Sequence, residues 1–428
     1  MRKSFTLLLF VLLISLGGFG QGLEEQLIKL SKAYSFTFEK LEVDSLFAEK
    51  YLIQIEQPLD HAYPEGKKFK QRVFLSHLGY QLPVVFITEG YDANYANHSK
   101  YVYELSGLLQ TNQVCVEHRY FGTSLPDSMN WDFLTVANAA ADHHRVVELL
   151  KNIYTGKWIN TGISKGGQTT MYHRYFYPDD VDISVSYVAP LNFSTEEKRV
   201  YDFLEKVSTD DCRKMVEDFQ VELFRNKKQY LPAFEKLVAK ERLSFSMGLE
   251  KAFELTVLEY SFAFFQWGGF DCDSIPQQGT TPEIMISHLN KIAGVKWVSN
   301  EGIAELQPFF YQAMREIGFY GYDIEPFRQW TSFESNPTFE FTLPDGIEVS
   351  YEPELMQEVD CFIRHKAEHM IFIYGEYDPW SAPAVDLTLS TNSLKIVNPK
   401  GSHRTRIRSL NDEQKSLVLD TLESWLTE

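Results

Sequence analysis

The sequence predicts an α/β fold: a largely parallel sheet with helices on both faces, interrupted by one long helical insertion. Three observations predict it. The runs 84–88 and 113–117 are apolar and β-branched without polar alternation, the pattern of strands buried on both faces. Such runs are separated by amphipathic stretches of about 10 to 20 residues, which is the grammar of a parallel sheet. Between about 191 and 351 the strand runs stop, charged and aromatic helical sequence takes over, and the alternation then resumes.

Taken in order, 51–56 and 71–78 read as strands flanking a Pro, Gly and Lys-rich segment, an opening hairpin. Strand 84–88 follows, then a helix over 97–109 and strand 113–117. The long amphipathic stretch 136–154 precedes strand 157–162, a helix over 167–177 and strand 182–189. In the insertion, 200–224 and 250–267 are helical. The closing section reads as helix 354–369, strand 370–374, helix 384–390, strand 394–398 and helix 411–426.

The first residues read differently. Arg2 and Lys3 precede an uncharged apolar run, 5–16, that is too short to span a bilayer comfortably and ends in Gly17-Gly18-Phe19-Gly20. This is the pattern of a secretory leader cleaved near Gly20, so export to a periplasm or beyond is expected, with no membrane span afterwards. The expected organisation is therefore 1–20 leader, 21–190 first part of the sheet domain, 191–352 helical cap and 353–428 second part.

Against 41 basic side chains the chain carries 59 acidic ones, a net charge of -18, which argues against nucleic acid as a partner. Its four cysteines form no C-x-x-C pair and have no histidine at metal-ligand spacing, so neither a metal nor another cofactor is expected. Cys115 falls in a strand and reads as a buried thiol. Cys212 and Cys272 both fall in the polar helical region and are the pair available for a disulfide, with pairing and non-pairing both open.

Gly162-Ile163-Ser164-Lys165-Gly166 fits G-x-S-x-G at a strand-to-helix junction, the setting of a nucleophile elbow in an α/β-hydrolase. The glycines leave room for a tight turn that lifts the serine hydroxyl above the sheet edge, and Gly167 lets the next helix pack closely. A serine hydroxyl needs a histidine base and an orienting acid, arriving in the order Ser, Asp or Glu, His. Asp378 follows strand 370–374 and is the expected acid, with Glu376 as the other carboxylate on that turn. Of 11 histidines, His403 alone lies beyond Asp378, so it is the expected base. Oxyanion donors are expected from the backbone N–H of Lys165 and from Tyr91, with Gly90 next in order. The Lys165 side chain is expected in solvent, with a direct role in the site as the other open reading.

These residues resemble the secreted bacterial tripeptidyl aminopeptidases, serine peptidase family thirty-seven, over nearly the whole chain. The resemblance rests on Gln57-Pro-Leu-Asp-His61, Phe86-Ile-Thr-Glu-Gly-Tyr91, Glu117-His-Arg-Tyr-Phe-Gly-Thr-Ser124, Gly162-Ile-Ser-Lys-Gly-Gly167 and the segments around Asp378 and His403. More distantly the chain is similar to lysosomal Pro-X carboxypeptidase and dipeptidyl peptidase II. Lys165 stands where those carry an aromatic residue, a departure that favours the tripeptidyl branch and counts against a strict proline preference. The resemblance implies removal of short peptides, tripeptides foremost, from free N-termini of oligopeptides. An amine-binding carboxylate is then required: Glu89 is the first candidate, with Asp92 and Glu259 behind it, and Trp267 is a candidate subsite wall. Two other readings fit the same fold, an esterase or lipase and a non-catalytic envelope binding protein, because fold does not choose the acyl substrate. Oligomeric state is left open by the sequence.

Overall fold

The structure, a computed structural model, describes residues 22–269, 271–389 and 392–428. The expected leader, 1–20, lies outside the described residues. The order of elements is α1 (Leu23–Tyr34), β1 (Phe36–Leu41), β2 (Glu49–Pro58), β3 (Lys68–His77), β4 (Val84–Thr88), α2 (Glu104–Leu109), β5 (Asn112–Val116), α3 (Val136–Leu150), β6 (Trp158–Ile163), α4 (Lys165–Phe176) and β7 (Ile183–Tyr187). Helices α5 (Arg199–Leu204), α6 (Asp210–Arg225), α7 (Lys227–Glu241), α8 (Leu249–Trp267), α9 (Pro282–Ala293) and α10 (Asn300–Gln312) then follow without a strand. The chain returns through α11 (Glu354–His365), β8 (Met370–Gly375), β9 (Ser393–Asn398) and α12 (Asp412–Thr427).

The strands form one sheet in the order β1-β2-β3-β5-β4-β6-β7-β8-β9. Pairing is antiparallel from β1 to β5 and parallel from there to β9. The exchange of β4 and β5 and the antiparallel edge make this an α/β-hydrolase sheet. Side chains of β4 alternate across it: Val84 and Phe86 belong to the apolar cluster that includes Val147 and Leu150 of α3, whereas Val85 and Ile87 belong to the one that includes Val418 and Leu422 of α12. Both layers are apolar, which is why this strand shows no polar alternation in sequence.

Three elements depart from expectation. The helix read over 384–390 does not form among the described residues. Instead Asp386 Oδ1 accepts from Thr388 N at 2.9 Å, closing a local turn after Pro383, and Lys395 Nζ donates to Val385 O at 2.8 Å. The helix read over 97–109 shrinks to α2, with Tyr103 extended before it. The stretch read as one helix over 200–224 is α5 and α6, separated near Ser208, whose φ is +63°, with Thr209 capping α6 by accepting from Cys212 N at 3.3 Å.

Candidate active site

Parallel strands deliver their following loops to one end of the sheet, and the expected site residues arrive there on four of them. β4 and β6 are direct neighbours, with Ile87 opposite Thr161, so the turn after β4 and the turn after β6 leave the sheet side by side. Ser164 sits in that second turn with φ +56° and ψ -122°, a left-handed strained conformation, and its N–H donates to Tyr187 O at 2.8 Å. The flanking glycines are required sterically: a Cβ on Gly162 would clash with Gly166 O, and one on Gly167 would meet the Ala189 side chain at 2.7 Å.

Beyond β8, Asp378 is fully buried and accepts from Trp380 N at 3.2 Å. His403 Nδ1 and Asp378 Oδ2 are 2.7 Å apart. Burial raises the Asp378 carboxyl above the usual aspartate range, with His403 opposing the shift. Gly375 makes the approach possible, since a Cβ there would meet Gly401 O and Ser402 O at 2.5 Å. Tyr377 N donates to Gly401 O at 2.8 Å and locks the two loops together. Glu376 is engaged elsewhere, accepting from Lys400 N at 2.7 Å.

Ser164 and His403 face a common cavity of about 760 Å³, whose wall also includes Glu89, Tyr91, Lys165 and Trp267. Part of its wall is aromatic, with Phe319 and Tyr320 both in ring contact with Trp380 at 5.2 and 5.3 Å. The stretch 191–352 supplies much of this wall. Its α8 also touches the histidine loop directly: His403 N donates to Gln266 O at 2.8 Å, and the Trp267 ring stands edge-on to the His403 ring at 6.0 Å. Cys212 on α6 and Cys272 just past α8 form a disulfide, which ties down the chain after Trp267.

The Lys165 side chain contradicts its expectation of solvent exposure. It is 3% exposed, donates from Nζ to Gly90 O at 2.7 Å, and lies over the rings of Tyr91 and Phe121 at 5.5 and 5.2 Å. Burial drives its amine well below the usual lysine range, with Glu89 pulling weakly the other way. Gly90 is pressed against the elbow, since a Cβ there would meet Lys165 Cβ at 2.7 Å and Gly166 N at 2.8 Å.

The carboxylates separate clearly. Glu89 is half-buried on the cavity wall, accepts from Tyr95 Oη, and is pushed up to about 7 by burial. Asp92 is exposed, is absent from the cavity wall, and accepts from Asn94 N at 3.0 Å in a local turn. Glu259 is buried behind the wall, accepts from Tyr320 Oη at 2.8 Å and Tyr322 Oη at 2.7 Å, and is also pushed up to about 7 by burial.

The motif residues outside the cavity hold its loops. Glu117 accepts from Ala93 N and Ser124 N, each at 3.1 Å, and from Ser124 Oγ at 2.7 Å, while Arg72 Nε donates to it at 2.9 Å. Arg119 forks onto Asp142 at 2.7 and 2.8 Å and donates to Leu59 O, and His61 Nε2 reaches the same carboxylate at 2.7 Å. The separate motifs at 57–61 and 117–124 are thus one buried network. Sequence reasoning missed three arginines on the cavity wall, Arg404, Arg406 and Arg408, whose alternation after His403 was the available signal.

A family model for PS-10 peptidase S37 matches residues 39–427. The chain belongs to this family. It is accordingly a serine peptidase. Among curated proteins it is similar to a prolyl tri/tetrapeptidyl aminopeptidase of Streptomyces mobaraensis, at 29% identity over 88% of this chain and 80% of that one. It is also similar to bovine lysosomal Pro-X carboxypeptidase, at 23% identity over 89% of each chain. Among the described residues no helix is long and apolar enough to cross a membrane.

Proposed function

We propose that the protein is an exported serine exopeptidase that releases short peptides, tripeptides foremost, from free N-termini of oligopeptides. The observation that carries this reading is the 2.7 Å contact between His403 Nδ1 and buried Asp378, facing a cavity shared with the strained Ser164. Ser164 attacks the scissile carbonyl. His403 takes its proton and then delivers it to the leaving amine, Asp378 fixes the tautomer, and water releases the acyl group.

The oxyanion is received by the backbone N–H of Lys165 and that of Tyr91, with Gly90 N–H adjacent. Because a peptide unit is trans, pinning Gly90 O on the Lys165 amine turns the Tyr91 N–H the opposite way. Lys165 thus serves the hole twice, by its own N–H and by aiming a second one.

Residues 191–352 act as a cap that closes the cavity against continuing chain, and Glu89 receives the substrate's ammonium group from the wall. The aromatic part of the cavity wall suits an apolar residue before the scissile bond, proline included. The register of three residues is supported by the Streptomyces relative, whose name specifies tri- and tetrapeptides. Export is supported by the apolar run 5–16 and by the disulfide.

Mass spectrometry of the products from oligopeptides with free and with acetylated N-termini tests the reading. Release of N-terminal tripeptides from the free peptides alone supports it. Equal cleavage of the acetylated set, or hydrolysis of short esters only, contradicts it.

A further inference from the structure

In a chain with 59 acidic and 41 basic side chains, the loop leaving β9 places Arg404, Arg406 and Arg408 on the wall that also holds Ser164 and His403. Arg406 has extended backbone, φ -140° and ψ 169°, between a turn at 403–404 and a short 3-10 turn over Ile407–Ser409. All three arginines line the cavity, while Thr405 and Ile407 between them are buried.

Arg408 has Glu104 at 3.8 Å, whereas Arg404 and Arg406 have no carboxylate at ion-pair distance among the described residues. Arg406 is half-buried and anchored by Nη1 to His403 O at 3.1 Å and Thr405 O at 2.6 Å. The Arg404 guanidinium lies 6.0 Å from the face of Trp267, whose ring in turn stands 6.0 Å from that of His403. Arg404 is exposed with its fork open to an anion, while half-buried Arg406 has Glu104 close enough to oppose the effect of burial on it but not to bond it, so both keep donors for an anionic ligand.

The chemistry fixes which part of a substrate passes here. His403 protonates the leaving nitrogen, so the leaving chain runs past His403, over Trp267 and toward the arginines. Extended chain covers roughly 3.5 Å per residue, so one to three residues beyond the scissile bond reach that distance. A carboxylate is the anion such a chain always carries at its end, and a guanidinium fork matches it in geometry.

We infer that Arg404 and Arg406 form a subsite for the substrate's C-terminal carboxylate, so that the enzyme reads short peptides at both ends, the ammonium at Glu89 and the carboxylate at the arginines. The inference rests on the proposed exopeptidase mechanism and narrows its substrates to zwitterionic peptides with one to three residues after the cleaved bond.

The test uses one N-terminal tripeptide followed by one, two or six residues, each as free acid and as C-terminal amide. Wild type is expected to favour the acid over the amide by 10-fold or more in kcat/KM at the shortest lengths, with the ratio near one at the longest. Arg404→Gln brings the ratio at short length toward one, and Arg404→Glu takes it below one. Equal rates for acid and amide at every length in wild type, or a ratio that survives in Arg404→Glu, overturn the subsite. Labelling of Ser164 by a fluorophosphonate is followed in every variant. Hydrolysis of no member together with an unlabelled Ser164 overturns the mechanism itself and the subsite with it.

Discussion

Lys165 Nζ donates to Gly90 O at 2.7 Å from the position immediately after Ser164, so the side chain next to the nucleophile braces the loop that lies across from it. A lysine hidden from water at this point is costly, and its contact with a single carbonyl identifies what it holds in place. Lys165→Met keeps the stem and removes the donor. The expected result is a fall in kcat of about 10- to 100-fold, less than for outright loss of an oxyanion donor, with thermal stability equal to wild type or higher. A normal kcat in Lys165→Met shows that the loop needs no brace.

Glu89 titrates near 7 because burial disfavours its charged form. Below that pH it is protonated and loses its attraction for an ammonium group. The rate for free-amine peptides, divided by the rate of Ser164 labelling by a fluorophosphonate, cancels the part due to activation of the nucleophile. That quotient is expected to fall as pH drops through about 7, and Glu89→Gln is expected to flatten it and raise KM.

Glu259 is likewise raised to about 7 from an ordinary value of 4.5. The folded state then binds more protons than the unfolded state between those values, so this group contributes most at low pH and loses its contribution as pH rises through the window. Glu259→Gln should therefore gain on wild type by up to about 3 kcal/mol between pH 4.5 and 7.5, read as the difference between two denaturation series. A difference that is flat across this range contradicts the burial-driven shift.

The disulfide between Cys212 and Cys272 closes a loop of sequence separation 60. Replacing both cysteines by serine is expected to cost about 2–4 kcal/mol in unfolding free energy and to raise KM, because the tether follows directly on Trp267. Unchanged stability after the double replacement, or after reduction, shows that the link does not form.

The sheet, and the convergence of the candidate residues Ser164, Asp378 and His403 at one edge of it, were legible in sequence for a topological reason. Apolar runs buried on both faces mark parallel strands, and each such strand ends at the same edge, so the order Ser, Asp, His leaves one histidine available. Lys165 was not legible, because its burial depends on β4 and β6 being neighbours across about 75 residues of chain, while an isolated lysine reads as solvated. Helix α1 and strand β1 were missed since each has few buried positions and packs at an edge. The helix expected over 384–390 gives way to a turn because Asp386 captures Thr388 N locally, a choice between two local hydrogen-bond patterns. Sequence ranked Glu89 ahead of Asp92 and Glu259, but that Glu89 alone of the three lines the cavity is decided by tertiary packing.

Reaction of the protein with a fluorophosphonate, followed by peptide mapping in a mass spectrometer, tests the central claim most directly. The account predicts one stoichiometric adduct on Ser164 in wild type, lost in Ser164→Ala together with peptide hydrolysis and slowed by several orders of magnitude in His403→Ala. An adduct on another residue, or peptide hydrolysis that persists in Ser164→Ala, contradicts it.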